Sequence, residues 1–83
     1  MAYRIVYKKS VHRDLKKLDK HEASNILDKI ESDLLGHPAS SPVLKGKFSG
    51  LRKYRVGDYR VIYVIIEEDV IILRIGDRKE VYK

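Results

Sequence analysis

Lys53, Arg55 and Arg60 lie within a stretch that can fold back on itself at Gly57-Asp58, and cations so gathered can hold an oxyanion. If Gly57-Asp58 is a two-residue hairpin turn, Val56 faces Tyr59, Arg55 faces Arg60 and Tyr54 faces Val61. Like charges directly opposite each other on neighbouring strands destabilise by about 0.2–1 kcal/mol. A surface chosen for stability alone would not pair two arginines, so the pairing points to an anionic partner. The wider run Leu44–Tyr63 adds Lys45, Lys47 and Arg52 against Asp58 alone, a net +5. That density suits a polyanion, most simply a nucleic-acid backbone, and makes these three the outer candidates for RNA contact.

Positioning these cations requires strands. Tyr3-Arg4-Ile5-Val6-Tyr7 alternates aromatic and β-branched residues and predicts a first strand. Ser10 offers an N-cap, and Val11, Leu15 and Leu18 form the stripe of a short amphipathic helix whose other faces, with Arg13, Lys16, Lys17 and Lys20, are basic. Asp19 and Glu22 have capping-box spacing. Ala23, Ile26, Leu27, Ile30 and Leu34 then continue a second helix, with Gly36 as the C′ residue and Pro38 as the stop. After Pro42 the period changes from helical to alternating, and Leu51–Val56, Tyr59–Ile66 and Val70–Ile75 read as three strands. The order β-α-α-β-β-β predicts an α+β domain, an antiparallel sheet with a helical hairpin packed on one face.

One sheet face then carries Tyr54, Val56, Tyr59, Val61, Tyr63 and Ile65 toward the helices. The tyrosines here, with Tyr3 and Tyr7, read as core or rim aromatics. The other face carries Lys53, Arg55 and Arg60, then Ile62, Val64 and Ile66, which need cover. The last loop decides what joins them. With Glu67–Asp69 as a three-residue loop, Ile66 pairs with Val70, and Arg74 and Arg78 fall on the face of Arg55 and Arg60, where Arg74 is a fourth outer candidate for RNA contact. A two-residue loop sends them to the other face, where an unpaired Arg74 would be costly, so the three-residue loop is expected.

Eighty-three residues with a net charge of +6, 43% hydrophobic and 36% charged, give one domain over 1–83 with a small core, and exclude a two-domain enzyme. The lack of cysteine removes disulfides, thiol nucleophiles and thiolate metal sites, and fits a reducing cytoplasm. No stretch reaches the roughly 18 apolar residues of a membrane span, and the first ten residues alternate where a signal peptide would be continuously apolar. The expectation is a chain that is neither exported nor membrane-embedded. His12, His21 and His37 have no metal-ligand spacing, so neither a metal nor another cofactor is expected.

The runs Leu51–Tyr63 (LRKYRVGDYRVIY) and Leu73–Tyr82 (LRIGDRKEVY) closely resemble the signature of RelE/ParE-superfamily toxins, on the RelE (mRNA interferase) branch. The predicted element order and the length agree, so the resemblance covers nearly the whole chain. It implies a toxin of a type II toxin–antitoxin system that enters the ribosomal A site and cleaves mRNA there, held inactive by a cognate RelB-like antitoxin. Residue by residue, it implies that Lys53 and Arg55 are the basic pair before the turn, Arg60 the arginine after it, Arg78 the arginine near the end of the last strand, and Tyr82 the tyrosine that stacks on a codon base. The sequence departs from that pattern at Asp77, where many relatives have His. It also ends one residue past Tyr82, without the C-terminal helix of relatives.

Metal-free RNA cleavage needs a base for the 2′-hydroxyl, cations for the charge growing on phosphate, and a proton donor for the leaving 5′-oxygen. All three histidines precede the basic half, which leaves Lys53 as the base, since Arg55 and Arg60 beside it disfavour a further positive charge. Arg55 keeps its proton and can only stabilise or orient. Arg60 clamps the phosphate, and Arg78 sits near the leaving oxygen, with a protonated lysine or water as the other possible donors. Tyr82 stacks on an unpaired base, a contact worth about 1–3 kcal/mol. Such a site lacks a strong base, which predicts slow cleavage of free RNA and dependence on the ribosome for orientation. A basic toxin further predicts an acidic, partly disordered antitoxin, for which Ile62, Val64 and Ile66 offer an apolar groove. A ParE-type inhibitor of DNA gyrase and a non-catalytic RNA-binding module are the competing functions.

Overall fold

The computed structural model describes residues 3–40 and 50–77. Strand β1 (Arg4–Tyr7) leads into helix α1 (Lys9–Lys16) and helix α2 (Lys20–Ser32). Two short 3-10 turns, Leu34–Gly36 and Pro38–Ser40, follow, then strands β2 (Arg52–Val56), β3 (Tyr59–Ile66) and β4 (Asp69–Asp77). The sheet order is β1-β4-β3-β2. The three C-terminal strands form an antiparallel meander, while β1 joins the outside of β4 in parallel, so the α+β sheet is mixed rather than wholly antiparallel. A parallel neighbour needs a long crossover, and the helical hairpin is part of the chain that separates β1 from β4.

The core lies between that hairpin and one sheet face. Val11, Ile26, Ile30 and Leu34 from the helical layer meet Val56, Val61, Tyr63, Val70, Ile72 and Ile75 from the sheet, all no more than 7% exposed. Leu15 and Leu18 pack against the rim of this cluster, as the predicted stripe requires. Aliphatic side chains buried to this degree contribute about 1.5–3 kcal/mol each, which makes the two-period pattern of the sequence the main determinant of the fold.

Local corrections concern polar residues at the helix ends. Lys8, not Ser10, is the N-cap residue of α1. Ser10 sits in the first turn and donates its hydroxyl to the Leu73 carbonyl at 2.7 Å, tying the helix to β4. Asp19 does occupy the N-cap of α2, but its side chain caps nothing. Its capping-box partner Glu22 instead accepts a hydrogen bond from the Tyr59 hydroxyl, which ties α2 to the sheet. Gly36 does not supply a left-handed cap. The Gly36 and His37 amides bond the Asp33 and Leu34 carbonyls, both at 3.1 Å, and carry the chain onward as a 3-10 turn.

The β2–β3 hairpin has the expected register, with Val56 opposite Tyr59, Arg55 opposite Arg60 and Tyr54 opposite Val61. Gly57 takes φ +60°, and it occupies the first turn position, where a type II′ hairpin favours glycine. The β3–β4 loop corrects the sequence expectation: it has two residues, Glu67 and Glu68, with Ile66 opposite Asp69. Glu67 accepts a left-handed φ of 55° to make this turn. Arg74 nevertheless stays out of the core. Tyr63 pairs with Ile72 while Ile62 pairs with Arg74, so Leu73 is an extra residue, a bulge that restores the alternation the shorter loop had inverted.

Candidate functional site

The sheet has a helix-covered side and an open side, and their polar chemistry differs. On the covered side, phenols reach carboxylates or carbonyls. Tyr7 donates to Glu31 at 3.3 Å, Tyr54 to Asp33 at 2.6 Å, Tyr59 to Glu22 and Tyr63 to the Pro38 carbonyl. Burial first, then the Glu31 charge, pushes the Tyr7 phenol up to about 12. Burial and the Asp33 hydrogen bond do the same for Tyr54, and for Tyr59 the Glu22 hydrogen bond leads, again to about 12. These phenols stay protonated at neutral pH and take no part in acid–base chemistry there.

The open side gathers the cations. Arg55 and Arg60 stand opposite each other, and Gly76 continues their row on β4. The next row is Lys53, Ile62 and Arg74. Arg55 is exposed and anchored at its root, with Nε donating to the Gly57 carbonyl at 2.9 Å. Lys53 is half-buried and makes no hydrogen bond or ion pair among the described residues. Further along the same face the surface turns apolar. Ile62 is buried, Val64 half-buried, and Ile66 and Val6 stand 53% and 44% exposed. The open side is thus cationic at the β2–β3 turn and aliphatic toward the β3–β4 turn.

Two of the outer cation candidates are held elsewhere. Arg52 lies opposite Tyr63, on the helix side, and its Nη1 donates to the Ala39 carbonyl at 3.1 Å. Arg74 shares the open-face row of Lys53, but its guanidinium turns to Asp14 of α1, Nε to Oδ2 at 3.0 Å and Nη2 to Oδ1 at 3.2 Å. Lys45, Lys47, Arg78 and Tyr82 lie outside the described residues. Sequence reasoning passed over Asp14, which is only 7% exposed. Its signal was present: three residues after Val11 and four before Leu18, it is an acid set into the apolar stripe of a helix. It borders a cavity of about 220 Å3 lined also by Lys17, Leu18, Tyr59, Arg74 and Asp77.

Helix α1 and the residues flanking it present a second basic surface, with Lys20 on the first turn of α2 rather than on the first helix. Lys8, Lys9, Arg13, Lys16, Lys17 and Lys20 are all exposed, and none forms an ion pair among the described residues. With Asp14 turned inward to Arg74, Asp19 is the one acid left exposed over Lys8–Lys20.

A sequence profile for the ParE toxin of type II toxin–antitoxin systems matches residues 3–82. The chain belongs to the RelE/ParE superfamily of type II toxins. No curated protein sequence matches it. Among solved structures, it is similar to the toxin–antitoxin complex RelBE2 of Mycobacterium tuberculosis at 27% identity, with a TM-score of 0.87 over 94% of this chain and 100% of the matched one. Similarity to an Escherichia coli RelE toxin mutant in the free state reaches a TM-score of 0.78 at 19% identity, covering 99% and 90% of the two chains. The intact E. coli RelBE toxin–antitoxin complex gives 0.74 at 21%, covering 92% and 96%. At these identities the E. coli structures speak for the fold alone. For this toxin they support the β-α-α-β-β-β plan, in which the meander builds the cation rows and α1 closes the outer edge of β4.

Proposed function

We propose that this toxin is a metal-independent endoribonuclease that cleaves mRNA in the ribosomal A site and so inhibits translation. The observation that carries this reading is the pair Arg55 and Arg60, directly opposite each other on neighbouring strands with Lys53 in the next row of the open face. A scissile phosphate over that row receives charge from both guanidiniums, Arg60 clamping it and Arg55 orienting it from its anchor on Gly57. Lys53 takes the proton of the 2′-hydroxyl. The 2′-oxygen attacks phosphorus, the bond from phosphorus to the 5′-oxygen breaks, and that oxygen gains a proton from a donor near Arg78. The products are a 2′,3′-cyclic phosphate and a 5′-hydroxyl. Tyr82 stacks on a codon base, and Lys45 and Lys47 hold flanking phosphates. Arg52 and Arg74, committed to Ala39 and Asp14, serve the frame that presents the site.

The partner that silences the toxin is an acidic antitoxin of the RelB kind, whose carboxylates cover the cation rows and whose apolar residues cover Val64 and Ile66. The RelBE2 and RelBE structures are toxin–antitoxin complexes, which supports this part of the reading. Work on ribosomes places the toxin in the cytoplasm, and among the described residues no helix is long and apolar enough to cross a membrane.

A second reading has an observation of its own, because the matching profile is described as ParE rather than RelE. On that reading the same cations engage DNA gyrase and no RNA is cut. Primer extension on a translated mRNA, with and without ribosomes, separates the two. Ribosome-dependent cuts within codons, lost in Arg60→Ala and Arg78→Ala, establish the nuclease. Intact mRNA beside a block of supercoiling by gyrase establishes the ParE-type activity instead.

A further inference from the structure

Beyond Ile72, no strand among the described residues lies on the outer side of β4, because β1 ends at Tyr7 opposite Ile72. Helix α1 takes over that edge with side chains. Ser10 donates to the Leu73 carbonyl at 2.7 Å, and Asp14 Oδ2 accepts the Ile75 amide at 2.9 Å. The same carboxylate accepts both Arg74 bonds, so one buried group reads two consecutive residues of the bulged strand.

The alternative register is well defined. Without the extra residue, pairing of Ile66 with Asp69 would place Leu73 opposite Ile62 and Arg74 opposite Val61. Arg74 would then point into the helix-covered core and Ile75 into the open face, since a one-residue slip sends every later side chain to the other side. Gly76, the neighbour of Arg60, would move with them. In that register the Ile75 amide and the Arg74 guanidinium both leave Asp14, stranding a carboxylate that is 7% exposed.

We propose that Asp14 is a positioning residue for the cation site: it selects the bulged register of β4 and thereby fixes the end of the strand beside Arg60. This rests on the nuclease reading above.

The test compares Asp14→Ala and Asp14→Asn with Ile30→Val, a core change that lowers stability without removing a hydrogen bond to β4. Amide exchange by NMR and ribosome-dependent cleavage, resolved into kcat and KM per folded molecule, are the readouts. In Asp14→Ala, exchange at Ile75 and Gly76 rises at least tenfold while Val61 and Val70 stay within a factor of two, and kcat falls at least tenfold at unchanged KM. Asp14→Asn, which keeps an acceptor for the Ile75 amide but no charge for Arg74, falls between Ala and wild type. Ile30→Val raises exchange evenly over the sheet, without singling out Ile75 and Gly76, and leaves kcat per folded molecule unchanged. Wild-type kcat in folded Asp14→Ala, or exchange that rises uniformly over the sheet, overturns the proposal. Should Asp14→Ala fail to fold, Asp14→Asn decides by the same two criteria. A wild type without nuclease activity would sink the proposed function and not the register claim, which the exchange pattern then decides on its own.

Discussion

Because Arg55 and Arg60 face each other across β2 and β3, the toxin is expected to gain stability when one of the two charges is removed. Like charges on directly opposed strand positions repel by about 0.2–1 kcal/mol. At about 0.01 M salt nearly all of that repulsion survives, and at 1 M, where the screening length is about 3 Å, almost none does. Each arginine has other contacts, among them the Arg55 bond to Gly57, so single variants mix several effects. A double-mutant cycle with Arg55→Gln, Arg60→Gln and the pair cancels them and leaves the coupling. The cycle, run by thermal and urea unfolding at both salt concentrations, is expected to give a repulsive coupling of about 0.3–0.8 kcal/mol at low salt. That is a melting shift of about 1–6 °C for a domain of this size, vanishing at high salt. Affinity for single-stranded RNA moves the other way, and each lost phosphate contact lowers the salt slope by about 0.7. A coupling of zero, or an attractive one, refutes the premise that this pair is a cost awaiting an anion.

Other consequences follow from neighbouring features. Tyr7, Tyr54 and Tyr59 titrate near 12 in the fold against 10.0 when free, so the protonated phenols favour the native state. Their contribution is complete below pH 10 and is lost as pH rises toward about 12, with proton release on unfolding near pH 11; Tyr54→Phe and Tyr59→Phe each reduce that release in an alkaline titration followed by tyrosine absorbance. Glu67 is a non-glycine residue at φ 55°, and Glu67→Gly is expected to stabilise by about 0.5–1 kcal/mol in urea unfolding, the relief of left-handed strain exceeding the entropy added to the unfolded chain. Neutralising Arg13, Lys16, Lys17 and Lys20 together to Gln is expected to weaken sedimentation with ribosomes at least tenfold at physiological salt, and to leave binding of a short oligonucleotide to the open face within a factor of two.

The parts of this structure legible in the sequence are those governed by period. Val11, Leu15 and Leu18, then Ile26, Ile30 and Leu34, gave the helical layer, and the alternation through Tyr54, Val56, Tyr59, Val61 and Tyr63 gave the covered face. Gly57-Asp58 fixed its own hairpin, because a glycine at φ +60° belongs to one turn family. What escaped was set by competition between polar groups distant in sequence. Glu22 belongs to Tyr59 rather than to its own helix end, Ser10 to Leu73, and Asp14 to Arg74 and Ile75. The loop at Glu67–Glu68 escaped for a related reason. Keeping Arg74 out of the core was the right constraint, but a bulge satisfies it as well as a longer loop does, and alternation cannot tell the two apart.

The contrast between the two sheet faces bears directly on how such a toxin is controlled. On the covered side every tyrosine hydroxyl of β1, β2 and β3 has an acceptor, and among the described residues no buried side-chain polar atom lacks a partner. The chain therefore has ample means of neutralising polar groups, and four of its acids, Glu22, Glu31, Asp33 and Asp14, are turned toward tyrosines or Arg74. None of these four reaches Lys53 or Arg55. Acids placed inside the chain would neutralise a cationic face permanently, whereas acids on a separate protein neutralise it only while that protein persists. A site with no strong base of its own gains a further safeguard from the same economy: with Lys53 and arginines alone, it depends on an ordered substrate to bring the 2′-hydroxyl into line. If the proposed nuclease reading holds, free RNA is a poor substrate and cleavage is confined to codons that a ribosome holds in place.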